Sequence, residues 1–486
     1  MRRLAGYIVV AAIAACLSSA GCAASGQTQA LVIEGGTLID GSGAAPLENA
    51  VVVIEGSRIT AVGAKASVTY PARARVINVR GMTVLPGLID AHIHSLDFFP
   101  QLFLHFGVTT VYDTANPTDW IIAQRDAVAR GRIKGPRMFV TGVVIDGPDG
   151  VPDRRDAYRV HVKTAAEARG VARDLLRRGV DLLKVYQNLT PDLLRAIVEE
   201  AHAAGTEAVG HSRDANEAIA AGLRFIEHAT PIAHATLGDP VKLKAMDEGR
   251  LSTPEAHMNP ALFPSLVDLM VRNGVFFNPT LTRIWISAMP KRGEWYREMV
   301  GFLERPVYRF IPAARREFWL TTARGGPSTL PGAGARRPDD QEMRDGLRKV
   351  EAFTSLYAKA GGRVIAGPDS GPSSGPANMA GYAMHVEMEA LVDAGLTPMQ
   401  AILSATKWPA ELLRKEKELG TIAPGKLADV IVVDGNPLAD IRKTRNIRTV
   451  IMNGAVIDTT LDPRFRNPIP RPVHEYPMDR PDAGLR

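Results

Sequence analysis

The sequence predicts an α/β fold: a (β/α)8 barrel carrying a small β-sandwich built from the N- and C-terminal segments. Three observations lead there. Short β-branched runs punctuated by Gly and Asn occur near both ends of the chain, as in strands and tight turns. Between them, short apolar runs alternate with longer helical patterns, which is the texture of βα units on a parallel sheet. Eight such runs can be counted, enough to close a TIM-like barrel, whose active site lies at the C-terminal ends of its strands. The chain has 486 residues, too many for one ordinary domain, and its 45% hydrophobic and 23% charged content suits a globular protein with a sizeable core. A net charge of +6 is mild for this length, and no basic tract tracks phosphate, so no nucleic-acid partner is expected.

The first residues read as an export signal. Arg2 and Arg3 precede an apolar stretch, Tyr7 to Leu17, that is too short to span a bilayer. Ser18 to Gly21 are small and lead into Cys22. The pattern is similar to a bacterial lipoprotein signal, in which Cys22 would carry lipid. Ser19 departs from the larger apolar residue usual at its position, Cys16 offers a second lipidation site, and plain secretion after cleavage near Ala24 is the simpler alternative. Cys16 and Cys22 are the only cysteines, so no disulfide framework supports the fold. The expectation is an exported bacterial protein, periplasmic or held at the membrane through an N-terminal lipid anchor.

After a signal over 1–22, residues 31–85 are expected to form the N-terminal part of the sandwich, with strand patterns at Leu31 to Asp40, Ala50 to Ile59 and Ala74 to Val79. Residues 86–415 are expected to form the barrel. Its strands are placed at Val84 to His92, Val108 to Asp113, Met138 to Val144, Leu182 to Tyr186, Glu207 to His211, Phe225 to His228, Val275 to Thr280 and Val364 to Asp369. Helical patterns cover Trp120 to Ala129, Ala165 to Arg178, Pro191 to Ala204, Ala215 to Ala221, Ala380 to Ala394 and Thr397 to Leu413. An insertion over 281–362 exceeds an ordinary barrel loop and is rich in aromatic residues; helices plus a mobile loop over the site, or an outer decoration, fit it equally. Residues 416–460 return to the strand pattern and complete the sandwich. The Pro-rich tail, 461–486, cannot pair as a regular strand and is expected to lie extended on the surface.

The predicted strand ends carry an unusual set of side chains. The first ends in His92 and His94, spaced to share one face of a strand. Alone, a His-x-His is more often packing and capping than a metal grip. The fourth strand adds Lys184, the fifth His211, the sixth His228 and the eighth Asp369. Four histidines, a lysine and an aspartate at five strand ends of one barrel point to a metal site, and imidazole suits zinc and its neighbours.

At these residues the chain resembles the amidohydrolase superfamily, in its binuclear-metal branch with a carboxylated lysine (imidazolonepropionase- and prolidase-like amidohydrolases). Gly81 to Asp90, Gly107 to Val111 and Leu419 to Asp429 resemble that family's approach to its first strand, its second strand and its return to the sandwich, and the resemblance covers about Leu31 to Thr459. It implies that His92, His94 and Asp369 hold one divalent ion and His211 and His228 a second, both zinc in that family's manner, with a CO2-derived carbamate on Lys184 bridging them. A plain ammonium has no lone pair and could not serve as that ligand. The resemblance further implies a metal-activated hydroxide, with Asp369 passing its proton to the leaving amine. The expected function is an exported metal-dependent hydrolase cleaving an amide C–N bond of a small molecule, an N-acyl amino acid or short peptide. A lactonase or esterase could use the same site, a ring deaminase is disfavoured by Lys184, and a non-catalytic binding lipoprotein is the rival from another class.

Substrate-binding candidates are Tyr186, on the same strand face as Lys184; Arg213, as a carboxylate clamp; and His234, Asn278 and Thr280. The loop after the third strand, Thr141 to Gly150, lacks a histidine found in peptidase-like members, which weakens a dipeptidase assignment; His161 is a distant substitute. Fold does not fix substrate. A small-molecule substrate is the partner expected, and a homo-oligomer is compatible with the sequence.

Overall fold

Both ends of the chain meet in one sheet. The computed structural model describes residues 29–148, 156–325, 340–373, 375–474 and 477–479; the export segment and 326–339 of the insertion lie outside the described residues. Five strands from the N-terminal side (Leu31–Leu38, Leu47–Glu55, Arg58–Ala64, Arg75–Asn78, Met82–Pro86) and three from the C-terminal side (Val430–Asp434, Ile447–Met452, Ala455–Ile457) form an eight-stranded sheet. The seam is the antiparallel pairing of Met82–Pro86 with Val430–Asp434. Leu31–Leu38 changes neighbours partway, pairing first with Arg75–Asn78 and then with Thr83 and Val84, so the sheet bends on itself. Gly36 stands at that change, where a Cβ would lie 2.8 Å from the Met82 carbonyl. Leu31, Ile33, Val52, Val84, Val430 and Ile451 fill the fold's interior. Each such aliphatic side chain, removed from water, contributes about 1.5–3 kcal/mol.

The barrel strands are β1 (Leu88–Ile93), β2 (Val108–Asp113), β3 (Arg137–Val140), β4 (Leu183–Val185), β5 (Ala208–Gly210), β6 (Phe225–Glu227), β7 (Phe276–Asn278) and β8 (Arg363–Val364). Neighbours pair in parallel. The Val140 carbonyl accepts from Asp181 and Leu182 N–H to join β3 to β4, and a parallel bridge from Ile93 to Ser370 closes the ring. Two expectations are corrected here. The run Val84 to His92 is not one strand: Met82–Pro86 belongs to the terminal sheet and β1 begins at Leu88. The run Met138 to Val144 is broken at Gly142, whose φ is +71°, and a separate strand, Val144–Asp146, then pairs with the end of β4. In both places Gly follows the first half of an apolar run, and apolarity alone does not register the turn.

Side chains within or next to seven strands (Ile89, Tyr112, Leu182, Val209, Phe225, Phe276 and Ile365) pack together with Ala410 and Leu412, which close the barrel's lower end. Helices surround it. Ala165–Arg178 shows why they start and stop where they do: the Thr164 side chain accepts from Glu167 N–H, and Gly179 takes the left-handed conformation that ends it. Its buried stripe, Ala168, Ala172 and Leu175, packs on Ile197 and Ala201 of Pro191–Ala203.

The described part of the insertion is helical: Leu281–Ile284, Arg292–Leu303, Ala313–Ala323 and Asp340–Lys359. Trp285, Trp295, Tyr308 and Trp319 are buried in the main core, so they pack the insertion and do not supply an open aromatic surface. The tail also departs from expectation. It forms no strand among the described residues, yet it is built into the molecule. The Ile469 carbonyl accepts from Trp120 Nε1 and Gln124 Nε2, Arg471 N–H donates to Asp97, and Arg471 Nε donates to Asn116. The lack of a strand pattern removed backbone pairing, but side chains and carbonyls took its place. No described helix is long and apolar enough to cross a membrane.

Candidate metal centre

Strand alternation and three backbone turns bring the site together. Leu182 faces the barrel interior, so Lys184, two residues on, lies above it, and Leu183 and Val185 face the helices. Phe225 sets Glu227 inward in the same way. His228 would then point outward, but its φ of +65° turns it back toward the axis. Thr280 and Asp369, after β7 and β8, are also left-handed, at φ +52° and +54°. Before His211 the chain needs Gly210, since a Cβ there would lie 2.2 Å from the Val185 carbonyl.

The result is a tight cluster. His94 Nε2 lies 3.1 Å from Asp369 Oδ1, His92 Nε2 lies 3.7 Å from Asp369 Oδ1 and 3.7 Å from Glu227 Oε2, and His211 Nε2 lies 3.5 Å from Glu227 Oε2. His228 Nε2 and His211 Nε2 are 3.0 Å apart. Lys184 Nζ makes a direct ion pair with Glu227 Oε2, and both side chains are buried. Ligating atoms of His92, His228 and Asp369 converge on one point, and those of His211, Glu227 and His228 on another.

The electrostatics suit a cation. Burial holds the His92 and His211 imidazoles well below their usual pKa, and the Lys184 charge adds to the effect. Burial, opposed in part by Asp369, lowers His228 to about 4. These rings are therefore neutral near pH 7 and carry free lone pairs. Burial alone would raise Asp369, but His92, His94 and Arg283 together hold it well below the carboxylate range. Burial raises Glu227, against the pull of Lys184. His92 Nε2 and Glu227 Oε1 are buried without a hydrogen-bond partner, which a bound cation would satisfy. Thr280 Oγ1 lies 2.8 Å from His228 Nδ1 and 3.3 Å from the Asn278 carbonyl; donating to the carbonyl and accepting from Nδ1–H fixes the tautomer that frees Nε2. The residues present fit one or two divalent ions.

The four histidines, Lys184 and Asp369 picked from the sequence all lie in this cluster. The substrate candidates divide. Tyr186 stacks on His211 with ring centroids 4.4 Å apart and has the Arg159 guanidinium over its other side, 4.9 Å from the centroid. Asn278 is buried with its amide 3.2 Å from His92 Nδ1, so it braces a histidine and does not face a substrate. Arg213 is exposed and donates to both oxygens of Glu217, one turn along its own segment, so it is no clamp. His234 is held between Asp214 and Asp247, 2.8 and 3.1 Å away. His161 Nδ1 donates to the Gly147 carbonyl, 2.7 Å away.

Three residues were missed. Glu227 directly precedes a chosen histidine, and its inward position follows from alternation with Phe225. Arg283 brings its Nε to 3.7 Å from Asp369 Oδ2 and donates to Ser373 Oγ. Glu387 accepts from Leu281 N–H, Thr282 N–H and the Thr282 hydroxyl, anchoring the loop that carries Arg283. Neither of the last two carries a local signal, because each reaches the site through the insertion or a distant helix.

The chain belongs to the amidohydrolase family, whose sequence profile matches residues 101–457. His92 and His94 lie just before the matched span. A 5-methylthioadenosine/S-adenosylhomocysteine deaminase of Symbiobacterium thermophilum is 41% identical over 66 residues, 13% of this chain and 15% of that protein. The chain spans only 9 to 24% of the length of the curated relatives it matches. By structure it is similar to molinate hydrolase (TM-score 0.64, 24% identity, 89% of this chain and 95% of that one). It is likewise similar to a Xaa-Pro dipeptidase with methionine bound in its active site (TM-score 0.62, 23% identity, 88% and 100%). At these identities the likeness shows the fold.

Proposed function

We propose that this protein is an exported metal-dependent hydrolase that cleaves an amide C–N bond in a small molecule bearing a carboxylate, an N-acyl amino acid or short peptide. The observation that carries this reading is the convergence of His92, His94, His211 and His228 with Asp369 and Glu227 in one cluster at the barrel mouth. Zinc or a similar ion would be held by His92, His94 and Asp369, and a second by His211 and His228 with carbamylated Lys184; such ions make a water nucleophilic near neutral pH and polarise a carbonyl. Asp369, kept ionised, takes a proton from the attacking water and delivers it to the departing nitrogen. Arg283 offers a guanidinium to the substrate carboxylate, the role Arg213 cannot fill. Tyr186, braced by Arg159, is placed to donate to the developing oxyanion.

A second reading rests on the Lys184–Glu227 ion pair. If Lys184 stays an ammonium, Glu227 neutralises it and serves as a ligand, and the site holds a single ion. Metal content of wild type and Lys184→Ala, with and without bicarbonate, separates the two. About two ions per chain, falling in the variant, support the carbamate; about one in both removes it and leaves hydrolysis standing. Lack of turnover by metal-loaded protein across N-acyl amino acids and dipeptides, with turnover of matched lactones, would replace the amidase reading with the lactonase one. For export, Cys22→Ala is expected to move the protein from the membrane to the soluble fraction, with Cys16→Ala as the control.

A further inference from the structure

A second pocket lies between the insertion and the tail, a cavity of about 520 Å³. That size suits a small organic ligand. No residue of the metal cluster lines it. Its apolar wall is Phe98, Phe310, Ile311 and Phe465, and the last of these comes from the tail. Three arginines, Arg309, Arg316 and Arg466, also line it. None of the three pairs with an acid among the described residues. Arg316 is half-buried, and its Nε is buried without a hydrogen-bond partner. Burial and the nearby Arg309 both work against its charge. The two acids that reach the cavity are committed elsewhere. Asp97 accepts from Arg471 N–H and lies 3.1 Å from His474 Nε2, and Asp479 is bound by the Arg315 guanidinium.

Arg309 and Arg466 are exposed and solvated, but the half-buried Arg316 keeps a buried Nε–H without an acceptor at an apolar cavity, and an anion there would satisfy it. We propose that this cavity binds an amphipathic carboxylate, with an aryl or short acyl body on the phenylalanine wall and the carboxylate on Arg316 and Arg309. A bidentate guanidinium contact would supply both affinity and orientation.

Isothermal titration of the full mature chain with 4-phenylbutyrate tests the idea. The expected result is one saturable site per chain, about tenfold weaker for the uncharged 4-phenylbutyramide. Arg316→Gln is expected to weaken the carboxylate about tenfold and to leave the amide unchanged. Ala313→Trp, at an exposed residue on the cavity lining, is expected to abolish binding by filling the space. Arg283→Gln separates this site from the metal centre and is expected to leave the titration intact. No saturation in the millimolar range, equal affinity for acid and amide, unchanged affinity in Arg316→Gln, or loss of the site in Arg283→Gln would each overturn the proposal.

Discussion

Two ion pairs in this molecule are buried to the same degree, Lys184 with Glu227 and Arg315 with Asp479. Their surroundings differ. Arg315 also donates to the Pro372 carbonyl and lies over the Phe318 and Trp319 rings, so its guanidinium is well satisfied. The Lys184–Glu227 pair is ringed by imidazoles forced neutral, and Glu227 keeps one oxygen without a partner. Burial of charge therefore does not mark the reactive region. Incomplete satisfaction around the charge does. One pair fastens the tail to the insertion; the other leaves capacity for a cation.

The largest expected effect comes from breaking the reactive side. Asp369→Asn is expected to lower kcat by roughly 10³–10⁴-fold with an unchanged circular dichroism spectrum. Retained turnover would mean that another group moves the proton. On the structural side, Arg315→Met removes the guanidinium that binds the buried Asp479 carboxylate, at a cost of about 3–4 kcal/mol. Thermal denaturation should show it, and the double variant with Asp479→Leu should recover most of the loss. Equal melting of single and double variants would mean that the pair is not what holds the tail. Thr280→Ala sharpens the contrast, since it removes only the hydroxyl that fixes His228. Metal affinity, read by competition with a chelator, is expected to fall about 10- to 100-fold.

The smallest effect belongs to His234. Burial would lower its pKa, but hydrogen bonds donated to Asp214 and Asp247 outweigh burial and raise it. A raised folded-state pKa stabilises fully below the unfolded value near 6.5 and fades as pH climbs through the folded value. Asp247 is 41% exposed, so the effect is at most about 1 kcal/mol. Wild type is expected to lose that stability above pH 6.5 while His234→Gln stays flat; parallel curves would dismiss the linkage.

Much of the site was legible because barrel strands end where their chemistry is. His92 and His94 share a face, and Lys184 stands two residues beyond an interior leucine. What escaped has a physical reason in each case. Arg213 looked suitable by its neighbours in sequence, but Glu217, four residues on, satisfies it at the surface. Arg283 sits in a short helix whose placement depends on Glu387, about a hundred residues away, and nothing local announces that. The boundary between sheet and barrel fell inside one apolar run, at Pro86 and Gly87, because hydrophobicity does not report which sheet a strand joins. The tail lacked strand pattern and still became part of the core, through Trp120, Asp97 and Arg315.

His228, Thr280 and Asp369, at the ends of three adjacent strands, all occupy left-handed backbone without being glycine. Each such residue costs about 1 kcal/mol or more. The barrel wall and its helices hold these turns in place and draw no stability from them. On warming, the mouth relaxes before the wall gives way. Heat is therefore expected to silence this protein before it melts, with activity lost several degrees below the unfolding transition seen by circular dichroism; coincident curves would show that the strained turns and the barrel fail together.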